Sequence, residues 1–421
     1  MGGVQVGDRI IKVDTIAVTG RPLEFVSGQL TGEPGTRVHV TFQRAGVSAP
    51  IEVTFTRAII KVPAVPFTQM LDGNVGYIPL QRFNEVAAQH VEEAIRGLRR
   101  QGAQAFILDL RGNPGGSLEE SLKISNLFLQ PGQELASVRH RGRTPETYHA
   151  NQPSVIGTDR VVVMVNGGSA SASEIIAGTL QDHDRALVVG TTTFGKGLVQ
   201  TLFPLDGGWA LKLTTGKWYT PSGRSIQREH RGMNDGRFVE GGADDVEEGL
   251  PDTTRAGRPT FRSDAGRVVY GGGGVTPDVM IPGDTLTTPE QEYLRAISPK
   301  SQVEYATRYQ LAIDLKSQVR APDYQFRDEW REEFWRRLQQ AGVEVDRATF
   351  DGAREVVDRF LDDRIAMVAF GDSVRFRRQL PLDNQLQRAL ELLRRGRTQQ
   401  ELLALADPVA APGREGRSGR N

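Results

Sequence analysis

Residues 160–174 read RVVVMVNGGSASASE. The apolar run Val161–Val165 shows no polar alternation, which is the pattern of a strand buried on both faces. Asn166–Gly167–Gly168 stop it with turn chemistry. Ser171-x-x-Glu174 then has the spacing of a capping box that opens a helix. Similar apolar runs stand at Val75–Leu80, Ala105–Leu110 and Ala186–Gly190. Between them lie helical patterns at Ala87–Gln101, with Val91, Ala94, Ile95 and Leu98 on one stripe, at Ser117–Leu129 and at Ser173–Leu180. Strand alternating with helix predicts an α/β core with a largely parallel sheet over residues 63–285.

The flanks differ. Residues 1–62 hold short β-like runs, Arg9–Val13, Val38–Arg44 and Ile51–Arg57, with a short helix at Leu23–Leu30. Residues 227–269 are polar and rich in Gly, Arg and Asp, and read as a surface insertion in the core. From 286 to 406 helical stripes follow one another, with Phe326, Trp330, Phe334 and Leu338 marking a buried face. Residues 407–421 have no apolar period and are expected to be disordered.

Composition excludes several classes. The 421 residues contain no cysteine, so disulfide frameworks, thiol nucleophiles and Cys-ligated metals are out. Lys+Arg and Asp+Glu both number 52, and this zero net charge argues against a nucleic-acid or anionic-membrane coat. Eight of the basic residues are lysine and 44 arginine. No apolar run approaches the roughly 18–20 residues of a membrane span. The start, MGGVQVGD, has no secretory pattern and taken alone points to cytoplasm.

Three stretches carry candidate chemistry. A serine at the strand-to-helix turn of 166–174 can present its hydroxyl beside free helix N-terminal amides, although any of the three serines could equally be a plain cap. In Gly190–Gln200, Lys196 stands between two glycines. A buried lysine amine drops by up to roughly 3–5 units and becomes a usable general base, and a Ser nucleophile with a Lys base is an alternative to Ser–His–Asp. Gln200, four residues on, could hold the ammonium. Gly190-x4-Gly195-Lys196 also approaches a P-loop, but Gly197 replaces the magnesium-binding Ser/Thr and a strand-like run follows. The third stretch, Asp109–Gly116 (DLRGNPGG), runs a strand into a Gly-rich turn whose amides can approach a carbonyl closely. The six histidines show no zinc spacing, no G-x-S-x-G elbow exists, and His183 reads as a helix C-terminal cap.

Together these stretches resemble the C-terminal processing peptidases, tail-specific proteases with a Ser/Lys dyad. The matching blocks are SASASE at Ser169–Glu174, Gln181–Asp182, Arg185–Ala186, TFGKGLVQ at Thr193–Gln200, DLRGNPGG at Asp109–Gly116 and TPSGRSIQ at Thr220–Gln227. The resemblance implies a ClpP/crotonase-like core, Ser171 as nucleophile, Lys196 as base and Gln200 as its positioner. It also implies an oxyanion hole from the Ala172 N–H and that of Gly115 or Gly116. No metal or cofactor is called for. Residues 1–62 look like the later part of a PDZ domain, on Val6–Ile10 (VGDRI) and a groove helix with Leu23, Val26 and Leu30. Its first strand and carboxylate-binding loop would precede Met1, as would the family's signal peptide, so the N-terminus is expected to be missing. By resemblance the location is then periplasm or cell envelope, the partners are polypeptides with apolar C-terminal tails, and a homo-oligomer is compatible. The competing expectation is a catalytically inactive PDZ-containing scaffold.

Overall fold

A computed structural model describes residues 4–5, 7–44, 47–60, 62–228 and 257–406. Val6 of the VGDRI match, residues 229–256 of the polar stretch and the 407–421 tail lie outside the described residues. The chain opens with β1 (Arg9–Val13), β2 (Ile16–Ala17), α1 (Leu23–Leu30), β3 (Arg37–Gln43) and β4 (Ile51–Thr56). There follow β5 (Gln69–Leu71), β6 (Val75–Pro79), α2 (Ala87–Arg100), β7 (Ala105–Asp109), α3 (Leu118–Asn126), β8 (Glu134–His140), β9 (Glu146–His149), β10 (Arg160–Val165), α4 (Ala172–Asp182) and β11 (Leu187–Gly190). Next come β12 (Leu198–Pro204), β13 (Ala210–Tyr219), β14 (Thr260–Arg262), β15 (Val268–Tyr270) and β16 (Val279–Met280). Helices complete it: α5 (Thr288–Ile297), α6 (Ser301–Leu315), α7 (Asp328–Gln340), α8 (Arg347–Gly352), α9 (Arg354–Phe370), α10 (Asp372–Gln379), α11 (Asn384–Arg395) and α12 (Gln399–Leu403).

These elements form two units, Pro63–Asp284 with Asp383–Asn421, and Met1–Val62 with Thr285–Leu382. The first is built on a six-stranded sheet ordered β16-β11-β10-β7-β6-β5. All neighbours are parallel except β5 against β6. Every residue of β6 and β7 is buried, and five of the six in β10, as unalternated apolar runs require. The α2 stripe Val91, Ala94, Ile95 and Leu98 is buried in the same core, with Ile175, Ile176 and Leu180 of α4. A second, antiparallel sheet runs β12-β13-β8-β9.

Two boundaries differ from the sequence expectation. Residues 286–406 are not one extension: 383–406 belong with the core. Leu386, Ala389, Leu390, Leu393 and Leu402 are buried there. Arg160 Nη1 donates to the carbonyls of Leu393 and Gly396 at 2.6 and 2.7 Å, and Gln385 Nε2 to that of Ile281 at 2.7 Å. Periodicity shows that a helix has an apolar face and says nothing of which sheet covers it. Likewise the polar stretch ends in a hairpin, β14 pairing with β15, tied to the end of α4 through Asp264 N–H to Asp182 O at 2.8 Å and Arg267 Nε to Asp184 at 2.5 Å.

In the other unit β2-β1-β3-β4 form an antiparallel sheet. Its core is Val13, Val18, Val38, Val40 and Phe42, and Val26 and Leu30 of α1 pack against it. Leu23, the third groove candidate, is 77% exposed. Separately, Trp330, Phe334 and Leu338 of α7 are buried with Tyr293, Leu311, Phe350 and Leu361, so that aromatic stripe is helical core. Among the described residues no helix is long and apolar enough to cross a membrane.

Candidate active site

Strand β10 delivers the chain to the C-terminal edge of the parallel sheet, where Asn166–Ser171 turn into α4. Asn166 Oδ1 accepts the N–H groups of Gly112 and Gly168 at 2.8 and 3.0 Å, tying this turn to the one after β7. The three serines separate cleanly. Ser169 is buried and donates to Leu110 O at 2.8 Å. Ser173 is buried and donates to Asn113 O at 2.8 Å. Ser171 alone is partly exposed, and it holds φ 54° and ψ −111°, a region that L residues rarely enter. A sharp strained turn is what lifts a side chain clear of its neighbours. Ala172 is the first residue of α4, so its N–H has no acceptor within the helix and points with the helix dipole.

The turn after β7 lies directly on this one. A Cβ on Gly115 would sit 2.6 Å from Ala170 O and 2.9 Å from both Ala172 N and the Ser171 Cβ. Only glycine permits that approach. The Gly115 N–H donates to Asn113 Oδ1 at 3.0 Å, whereas no such bond engages Gly116 N among the described residues. Gly116 is pressed on Phe83, whose carbonyl would lie 2.6 Å from an added Cβ.

Lys196 is half-buried on the segment between β11 and β12. Its flanking peptide groups are all held. Gly195 O accepts from Arg228 N at 2.9 Å, Lys196 O from Trp218 Nε1 at 3.2 Å, and Gly197 N donates to Gln227 Oε1 at 2.8 Å. A strand follows, so no helix N-terminus is available for the phosphates of a P-loop.

One side chain joins the two stretches. Glu174 is fully buried, and its Oε2 accepts the N–H groups of both Ser171 (2.8 Å) and Lys196 (2.9 Å). Its Oε1 accepts Gly195 N–H (2.7 Å) and the Thr193 hydroxyl (2.5 Å). Thr193 Oγ1 itself accepts Val275 N–H at 2.7 Å, so its proton goes to Glu174. Four donors therefore converge on one carboxylate. Burial pushes this carboxyl above its ordinary value, and the four hydrogen bonds pull it back. The capping-box spacing discloses the bond to Ser171. The bonds to Gly195 and Lys196 depend on a loop some twenty residues later and have no sequence signal.

Gln200 lies just beyond a bulge in β12, opposite Thr214, with its side chain exposed. Among the described residues it makes no hydrogen bond to Lys196. His183 closes the far end of α4, its ring bonded to Asp264 and to Glu134 O at 2.7 Å each, away from the serine. Leu23, Val26 and Leu30 belong to the other unit.

Residues 74–234, which hold Ser171, Lys196, Glu174 and both glycines, match peptidase family S41. The chain is 39% identical over 229 residues to a carboxy-terminal-processing protease of Bartonella bacilliformis, covering 53% of this chain and 52% of the relative. It is 38% identical to the carboxy-terminal processing protease CtpA of Bacillus subtilis, covering 54% and 48%. The chain spans about half the length of these curated relatives. Among solved structures, a photosystem II D1 C-terminal processing protease is 31% identical, covering 53% of this chain and 61% of its own, with a TM-score of 0.36.

Proposed function

We propose that this chain is a serine endopeptidase that cleaves polypeptides near their C-termini through a Ser171/Lys196 dyad. The observation that carries the reading is the Glu174 carboxylate, one oxygen of which holds the backbone of both residues. Unprotonated Lys196 takes the hydroxyl proton of Ser171, whose oxygen attacks the scissile carbonyl. The developing oxyanion is met by the Ala172 N–H and, because Gly115 donates to Asn113, by the N–H of Gly116. The tetrahedral species collapses to an acyl-enzyme as the amine leaves with a proton from Lys196. Water, deprotonated by the same lysine, releases the acyl group. Gln200 would orient Lys196 only once a substrate alters the strand end.

The substrate class is a polypeptide with an apolar tail. In support, β12 is the edge of its sheet and exposes Leu202 (65%) and Phe203 on the strand that leaves Lys196, and its turn into β13 exposes Leu205 and Trp209 (75%). An extended apolar segment can add there as a further strand. Residues 1–62 would be the later part of a PDZ domain, with exposed Leu23 at a tail-binding groove beside Val26 and Leu30. The core would be ClpP/crotonase-like and the location periplasm or cell envelope. The test is incubation with an unfolded protein bearing an apolar C-terminus. Ser171→Ala and Lys196→Ala are each expected to abolish cleavage with the circular dichroism spectrum unchanged. Full cleavage by either variant contradicts the dyad, and an inert wild-type chain that still binds the tail favours the scaffold reading.

A further inference from the structure

Arg111 opens the turn that carries Gly115 and Gly116, and all five of its guanidinium N–H donors are engaged. On one side lies Asp109, at the end of β7: Nε donates to it at 3.0 Å and Nη2 at 2.6 Å, while Tyr77 Oη donates to the same carboxylate at 2.6 Å. On the other side lies the start of α11. Nη1 donates to Asp383 Oδ1 at 2.9 Å and to Gln385 Oε1 at 3.0 Å, and Nη2 to Asp383 Oδ2 at 2.6 Å. Asp383 is itself fixed as the N-cap of α11, accepting Leu386 N–H at 3.0 Å. Gln385 is anchored through its Nε2 on Ile281 O. The planar fork of arginine fits two carboxylates at once, which a lysine cannot do.

The next residue, Gly112, has φ 66° and hands its N–H to Asn166, so the clamp on Arg111 is one peptide from the joint between the two catalytic turns. We infer that Asp383 is a positioning residue for catalysis, holding the oxyanion turn in register through Arg111, so that α11 completes the active site from 272 residues away. This rests on the Ser171/Lys196 reading. A carboxylate that served only to cap α11 could be replaced by any good cap. One that positions the turn could not.

The test compares Asp383→Ser, which keeps a cap but loses the bridge, with Asp383→Asn, which keeps the cap and one acceptor oxygen. Removing an oxyanion donor outright costs roughly 10²–10³ in kcat, so a displaced turn is expected to cost Asp383→Ser at least about tenfold. KM for the tailed substrate should stay within about twofold, since only transition-state binding is lost. Asp383→Asn should fall between that variant and wild type. A peptide aldehyde, whose adduct carries the oxyanion, should lose affinity for Asp383→Ser by about the same factor as kcat, with thermal unfolding near wild type. Wild-type kcat in Asp383→Ser, or a kcat loss not mirrored in aldehyde affinity, overturns the positioning role alone. A wild-type chain that neither cleaves nor binds the aldehyde overturns the dyad and this inference with it.

Discussion

Ser171 stands at φ 54° and ψ −111°, a conformation that costs an L side chain about 1–3 kcal/mol. Glycine adopts positive φ freely, so Ser171→Gly relieves that strain, and Ser171→Ala retains it. Both variants should be inactive, yet Ser171→Gly should unfold roughly 2–4 °C higher than Ser171→Ala in a calorimetric scan. Equal midpoints would remove the strain argument. Each oxygen of Glu174 accepts two donors, so an amide in either orientation turns its NH2 onto two of them. Each donor left unsatisfied costs about 1–3 kcal/mol. Two such donors hold the Ser171 and Lys196 backbones or the loop between them, so Glu174→Gln should lower kcat by at least about thirtyfold in steady-state assays. Unaltered kcat would mean that Ser171 and Lys196 hold their places without it. Of this arrangement, the serine and the lysine were legible in the motif blocks, and Ser171-x-x-Glu174 in its spacing. The reach of Glu174 to Gly195 was not, because loop-to-carboxylate bonds obey no period.

At the scale of elements, legibility followed burial. Strands β6, β7, β10 and β11 carry near-continuous apolar runs because both faces are covered, and α2 shows its stripe because one face is. Strands β14 and β15, three residues each in a Gly-rich polar stretch, have too few positions to display alternation. Gly195 shapes the segment carrying Lys196. It has φ 94°, and a Cβ there would meet the Arg228 Cβ at 2.8 Å. Gly195→Ala must shift that segment and should cut kcat at least about tenfold, while Ile95→Ala in α2 should cost about 2–5 kcal/mol of stability with kcat per folded molecule unchanged. Guanidinium unfolding and active-site titration separate the two effects. The reverse pattern would contradict the division between site and core.

In the whole molecule, the chain leaves the unit that holds Ser171 and Lys196 at Asp284 and re-enters it at Asp383. The return brings Leu386, Ala389, Leu393 and Leu402 into the core, as well as Asp383 to Arg111. A chain ending at Leu382 is therefore expected to unfold at clearly lower temperature and to lose peptidase activity even where it remains folded. An unchanged melting curve would show α11 and α12 to be dispensable. The sequence could not disclose this return, since the strong apolar stripe of α11 shows that one face is covered and not which unit covers it. An acyl-enzyme on Ser171 can be trapped by rapid acid quench with an activated ester substrate, followed by tryptic mapping of residues 161–185. Acyl mass on Ser171, absent from Ser171→Ala and formed far more slowly in Lys196→Ala, is the predicted result. Turnover of the ester with no adduct at Ser171, or an adduct on another residue that survives Ser171→Ala, would contradict it.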